Sequence, residues 1–255
     1  MEHIFDSHAH YDDSAFDSDR QELLASLPSL GVCGVVNCGT DLKTSLISLE
    51  LADKFPYLYA ACGIHPENIG DSWEYELEEI KKLLIGEKCV AVGEIGLDYH
   101  WDTVPRELQK TVFEKQLQIA DTVKLPVIIH DREAHGDTLE LLKKHKTMGV
   151  MHCFSGSVET AKEILSLGMY IGIGGALTFK NAIKPVEVVK MVPQDRLLVE
   201  TDCPYMSPVP FRGKRNDSSK IKFVIEKIAE IRNENPQDVA DYTSENAKKL
   251  FLRRK

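Results

Sequence analysis

Apolar and β-branched residues gather into eight short runs along the chain: HIFDSH, VCGVVNCG, YLYAACGIH, CVAVGEIG, LPVIIHD, GVMHCFSG, MYIGIGG and RLLVETD. Most are followed by a longer stretch whose apolar positions recur at helical spacing, as in Leu77, Ile80 and Leu84, or Phe113, Leu117 and Ala120. This is a βα unit repeated eight times. Near-continuous apolar strands alternating with amphipathic helices predict an all-parallel sheet covered by helices. Eight units in a chain of 255 residues fit a closed (β/α)₈ TIM barrel. An open doubly wound sheet fits less well, because the first βα junction lacks a glycine-rich phosphate fingerprint.

One extra helix is expected at the end, opening at NPQDV, where Asn235 caps and Pro236 takes the first helical position. Its apolar residues Val239, Tyr242, Leu250 and Phe251 are expected to pack outside the barrel. With no Ser/Gly linker or composition shift, residues 1–255 are read as one domain.

Composition narrows the class. The net charge of −9, from 40 acids against 31 Lys and Arg, disfavours broad attraction to nucleic acid or anionic membrane, so phosphate recognition must be local. No stretch approaches transmembrane length, and no basic segment precedes an apolar run at the N-terminus. A cytoplasmic location without membrane association is the expectation, and no obligate protein partner is inferred. The six cysteines form no CxxC pair and read as buried thiols.

In a barrel of this kind the strand C-termini form the active face. The polar residues there are His8 and His10 (run 1), His65 (run 3), Glu94 (run 4), His130 (run 5), His152 (run 6), and Glu200 with Asp202 (run 8). Five of the nine histidines occupy these ends. Imidazoles and carboxylates converging without buried cations would be costly unless divalent ions sat among them. Six ligands suit two ions, with Glu94 bridging, His8, His10 and Asp202 on one, and His130 and His152 on the other.

Of the two carboxylates in run 8, Asp202 is assigned as the base and Glu200 as a partner that orients it or the substrate. His65 is open between ligand and substrate contact. Simple alternation puts Asp6 on the face of His8 and His10, either orienting a ligand or accepting a backbone N–H. By the same parity Cys153 and Cys203 face the helix layer. Asp98, His100 and Asp131 read as loop or rim residues.

Beyond Asp202, prolines stiffen a loop carrying Arg212, Lys214 and Arg215, a local basic patch suited to a phosphodiester. Arg132 is a further candidate phosphate contact, and Asn216 either touches substrate or caps the next helix.

The blocks FDSHAH, GIHP, GEIGLDY, IHDREA, HCFSG, ETDCPY and RGKRN occur in this order, and together the chain resembles the TatD family of metal-dependent deoxyribonucleases from end to end. The resemblance implies a metallo-dependent hydrolase barrel, two divalent ions at His8, His10, Glu94, His130, His152 and Asp202, and DNA hydrolysis, often as a 3′ exonuclease. Many family members carry a second histidine after GIHP where this chain has Glu67. Related amidohydrolases often use a carboxylated lysine where this chain has Glu94, which favours the nuclease-like branch. The mixed imidazole and carboxylate ligands suit Zn²⁺, Mn²⁺, Ni²⁺ or Fe²⁺, with weakly held Mg²⁺ as the other candidate for turnover. Two other readings keep the same residues: hydrolysis of a small phosphate ester, lactone or acyl ester, including aminoacyl-tRNA, or a nucleic-acid-binding module with structural metals.

Overall fold

Each apolar run forms a strand in a computed structural model that describes residues 1–101, 103–145 and 147–252. The strands are β1 Ile4–Ala9, β2 Val32–Cys38, β3 Leu58–Cys62, β4 Cys89–Asp98, β5 Val127–Arg132, β6 Gly149–Met151, β7 Tyr170–Ile173 and β8 Leu197–Val199. They pair in parallel in chain order. Alternating with them are α1 Arg20–Ser26, α2 Leu42–Lys54, α3 Trp73–Leu83, α4 Arg106–Val123, α5 His135–Lys144, α6 Val158–Ser166, α7 Ile183–Met191 and α8 Ile221–Arg232. The additional helix is α9, Pro236–Phe251, capped by the Asn235 side chain, which accepts the Gln237 N–H at 2.8 Å.

The ring is completed where β1 meets the chain just past β8. Ala9 bridges Cys203 in parallel, His10 N–H donates to Cys203 O at 2.8 Å, and Asp202 N–H donates to His8 O at 3.0 Å. The sheet is therefore a barrel, as the repeated pattern predicts.

Every strand contributes to the barrel interior: Phe5, Val36 and Cys38, Ala61, Val90 and Ala91, Ile128, Val150, Tyr170 and Leu198. Their neighbours, such as Ile4, Val35, Ile129 and Ile171, instead pack in the shell beneath the helices. The base of the barrel is closed by α9. Ala247, Leu250 and Phe251 join the interior cluster, with the Phe251 and Phe5 rings stacked 6.4 Å apart. This corrects the expectation for Leu250 and Phe251, since the last turn of α9 plugs the barrel while Val239 and Tyr242 pack in the shell. Gly34 makes room for the Phe5 ring, because a Cβ there would lie 2.3 Å from it.

Interior register decides which polar groups reach the top. Alternation from Ile128, Val150 and Leu198 carries His130, His152 and Glu200 to the interior side. In β1 and β4, simple alternation from Phe5 or Ala91 would send His8 or Glu94 into the shell. Both strands shift register, between Asp6 and Ala9 and between Val92 and Ile95. These irregularities turn His8 and Glu94 inward, as β-bulges commonly do beside active sites. Among the described residues no helix is long and apolar enough to cross a membrane.

Candidate metal centre

His8, His10, Glu94, His130, His152 and Asp202 converge at the top of the barrel. Glu94 lies at their centre, with its two oxygens divided between them. Oε2 is 3.2 Å from His8 Nε2 and 3.4 Å from His10 Nε2, whereas Oε1 is 2.9 Å from His152 Nε2 and 3.0 Å from His130 Nδ1. Asp202 Oδ1 faces the first pair, 3.7 Å from His8 Nε2 and 3.6 Å from His10 Nε2. The His8 and His152 rings stack at 3.9 Å, bringing the two sets together.

The outer nitrogens reveal which inner ones carry lone pairs. His10 Nδ1 sits 2.8 Å from Cys38 O, and a carbonyl only accepts, so the proton is on Nδ1 and the Nε2 lone pair points inward. His130 Nε2 sits 2.8 Å from Asp98 Oδ2, so its Nδ1 lone pair points at Glu94. His152 Nδ1, buried without a hydrogen bond, is 3.6 Å from Glu200 Oε1, which again leaves Nε2 facing Glu94. In neutral rings, as metal ligands must be, these lone pairs would repel the carboxylate oxygens they face unless a cation lay between them. This donor set fits metal ions, with Cys38 O, Asp98 and Glu200 as the outer partners that orient the ligands.

His65 is arranged the opposite way. Its Nδ1 accepts the Glu67 N–H at 3.2 Å, which puts the proton on Nε2, and that N–H points toward Glu94 Oε1 3.6 Å away. Burial and the neighbouring His130 push its pKa down to about 3, so the ring stays neutral. In this tautomer His65 is a hydrogen-bond donor to the cavity, while its position beside Glu94 and His130 would also let these three side chains share an ion.

Burial pushes Glu94 up, but the imidazoles of His152 and His8 facing it more than offset this and hold it well below the usual carboxylate range. Asp202 is likewise raised by burial and more than offset by His10, His152 and His8, so it too remains ionised. Its backbone is in the left-handed region at φ 55°, and its side chain keeps 18 % exposure toward the cavity.

Several other expectations change. Asp6 lies off the face of His8 and His10, because the register shift in β1 separates them. Its carboxylate accepts from Thr201 N–H at 3.0 Å, Thr201 Oγ1 at 2.6 Å and Ser218 Oγ at 2.7 Å, and burial pushes it up to about 7. It ties β1 to the segment past β8. Glu200 is fully buried, accepts the Cys153 N–H, and does not border the cavity. Gly172 gives it space, since a Cβ there would lie 2.5 Å from Glu200 Oε2. Asp98 is buried at the end of β4 against His130, whereas His100 is at the rim, 2.8 Å from Glu133. Asp131 pairs with His135 at 2.6 Å.

Cys153 has φ 43° and borders the cavity, contrary to the parity expectation, while Cys203 packs in the shell as expected. Asn216 does not cap the next helix. Its Nδ2 donates to Thr201 O at 2.9 Å, and Asp217 is the cap.

The cavity above Glu94 has a volume of about 950 Å³ and is bordered by Arg132, Lys43, Arg20 and Tyr205 among others. Arg212, Lys214 and Arg215 do not border it. Arg215 makes a two-pronged ion pair with Asp19, at 2.7 and 2.6 Å, and Arg212 lies over the Phe179 ring at 4.1 Å. Lys214 is exposed. The expected basic loop is thus turned toward its neighbours. Asp98 was readable, being two positions from Gly96 and four from Glu94 along one strand, but Lys43 and Arg20 lie in helices whose spacing carries no such signal.

A family model described as TatD related DNase matches residues 5–252. The chain belongs to the TatD family. Among its TatD relatives, YabD of Bacillus subtilis (strain 168), named an uncharacterized metal-dependent hydrolase, is 45% identical over 251 residues, covering 97% of this chain and 98% of YabD. YcfH of Escherichia coli (strain K12), named likewise, is 36% identical over 254 residues, covering 97% and 95%. The crystal structure of the TatD homolog YjjV from Escherichia coli K12 superposes with a TM-score of 0.91 at 33% identity and covers 99% of each chain. The protein is a metal-dependent hydrolase of the TatD family, on the TIM barrel that its sequence predicts.

Proposed function

We propose that this TatD-family hydrolase uses two divalent cations to cleave DNA phosphodiester bonds, working as a 3′ exonuclease. The observation that carries the reading is Glu94, whose oxygens each face a separate imidazole pair at 2.9–3.4 Å. A carboxylate whose two oxygens face separate ligand sets could serve two ions at once. His8, His10 and Asp202 would hold one ion, His130 and His152 the other, and Glu94 both. Divalent ions supply Lewis-acid polarisation of a phosphoryl oxygen and acidify water.

The chain's own residues do the rest. Asp202, ionised and open to the cavity, accepts the proton of the attacking water. His65 donates its Nε2–H to a non-bridging phosphoryl oxygen. Glu200 acts through His152 as a positioning residue. Arg132 and Lys43 hold flanking phosphates from the cavity wall. The six free cysteines support a reducing, cytoplasmic setting.

The test combines elemental analysis of metal per chain with digestion of 3′- and 5′-labelled DNA, with and without chelator. Two equivalents of metal, early release of the 3′ label and loss of cleavage on chelation are expected. Chelator-resistant cleavage, or one equivalent of metal in a fully active protein, would refute the reading.

A further inference from the structure

The β4–α4 connection places an exposed aromatic ring beside Arg132, a cation that borders the cavity. Trp101 is 48 % exposed, an unusual position for so large an apolar ring. Arg132, which borders the cavity, holds its guanidinium 5.5 Å from the Trp101 ring centroid. Among the described residues Arg132 has no carboxylate ion-pair partner, so its charge is available to a ligand. The His100 ring packs edge-on against Trp101 at 4.7 Å and is itself fixed by Glu133.

The backbone beneath is also fixed. Asp98 Oδ1 accepts the N–H groups of His100 and Trp101 at 2.9 and 3.2 Å, while its Oδ2 holds His130 at 2.8 Å. One carboxylate therefore ties the backbone that carries the exposed ring to the imidazole of His130.

We infer that Trp101 is a nucleobase platform: a base next to the scissile linkage stacks on its indole while Arg132 holds the intervening phosphate. This rests on the DNA reading above and requires an unstacked base, because a base inside a duplex stack has no free face to offer. An exposed aromatic ring beside a guanidinium that borders a cavity is one arrangement by which proteins grip single strands without reading sequence.

Trp101 shares the chain with one other tryptophan, Trp73, so Trp73→Phe makes Trp101 the sole indole reporter. The metal-loaded variant is titrated with a phosphorothioate oligothymidylate that resists cleavage, and with an abasic phosphorothioate strand of equal length. Quenching by the thymidylate and none by the abasic strand is expected. In the otherwise native chain, Trp101→Ala should weaken thymidylate binding by about 5- to 100-fold and Trp101→Phe by far less, with abasic binding unchanged.

Equal quenching by both strands overturns the inference, as does thymidylate affinity that survives Trp101→Ala. If DNA is still cleaved in that case, only the platform fails and the nuclease reading stands. Base-dependent quenching without cleavage of ordinary DNA supports the platform and refutes the nuclease reading.

Discussion

Replacing Asp98 by Asn should loosen metal binding while leaving the fold intact, and the reason lies in hydrogen-bond polarity. Asp98 Oδ1 accepts two backbone N–H groups, from His100 and Trp101, and Oδ2 accepts His130 Nε2–H. An Asn side chain has one acceptor and one donor group where Asp has two acceptors. If its oxygen stays on the backbone pair, its NH₂ meets His130 Nε2 and forces that nitrogen to accept. The imidazole proton must then move to Nδ1, and the lone pair that faces Glu94 is lost. If the amide flips, His130 is preserved but two backbone N–H groups lose their acceptor. Outer-sphere partners of this kind are worth about 10- to 100-fold in metal affinity, or roughly 1.4–2.7 kcal/mol. The assay is competition for Zn²⁺ or Mn²⁺ against a chromophoric chelator, with thermal unfolding of the metal-free protein as control. A variant that binds both equivalents with native affinity would refute the tautomer argument, and with it the assignment of His130 Nδ1 as a ligand atom.

Other outcomes follow from the same geometry. Asp202→Asn should lower kcat on DNA by about 10²- to 10⁴-fold, read in single-turnover digestion, and a native rate would exclude Asp202 as the base. Gly172→Ala puts a Cβ 2.5 Å from Glu200 Oε2, so it should displace Glu200 from behind His152 and cut activity about tenfold. An unperturbed His152 ring resonance in NMR would contradict this. Phe251→Ala should cost about 3–5 kcal/mol of stability in denaturant titration, with kcat unchanged on the folded fraction. Arg215→Ala should leave the KM for DNA unchanged, since its guanidinium is held by Asp19. A clear rise in KM would return the loop to the substrate.

The barrel was legible because its signal is repetitive: eight apolar runs, each with a helical stretch behind it, leave few alternatives. All six converging donors were legible for a related reason, since each lies toward the end of its run, although Glu94 sits inside β4 and Asp98 ends that strand. What alternation could not supply was orientation inside β1 and β4. A strict period of two places Asp6 with His8, but the extra residue between Asp6 and Ala9 separates them, and no residue type in FDSHAH announces it. Left-handed backbone at Cys153 similarly defeats parity and turns the thiol toward the cavity. In the basic loop Arg215 found a partner in Asp19, remote in sequence, and no local pattern encodes such pairing. The tautomers of His65 and His130 depend on single hydrogen bonds from Glu67 N–H and to Asp98, which only coordinates reveal.

The stacked pair Phe5 and Phe251 has a bearing on how the protein is made. A ribosome delivers β1 first, and its interior ring must wait for nearly everything else before α9 arrives to cover it. Such distant pairing is slow, and until it forms the open barrel end presents apolar surface that invites aggregation. Interrupted synthesis should therefore yield insoluble fragments rather than smaller working barrels, and final compaction should coincide with docking of the last helical turn.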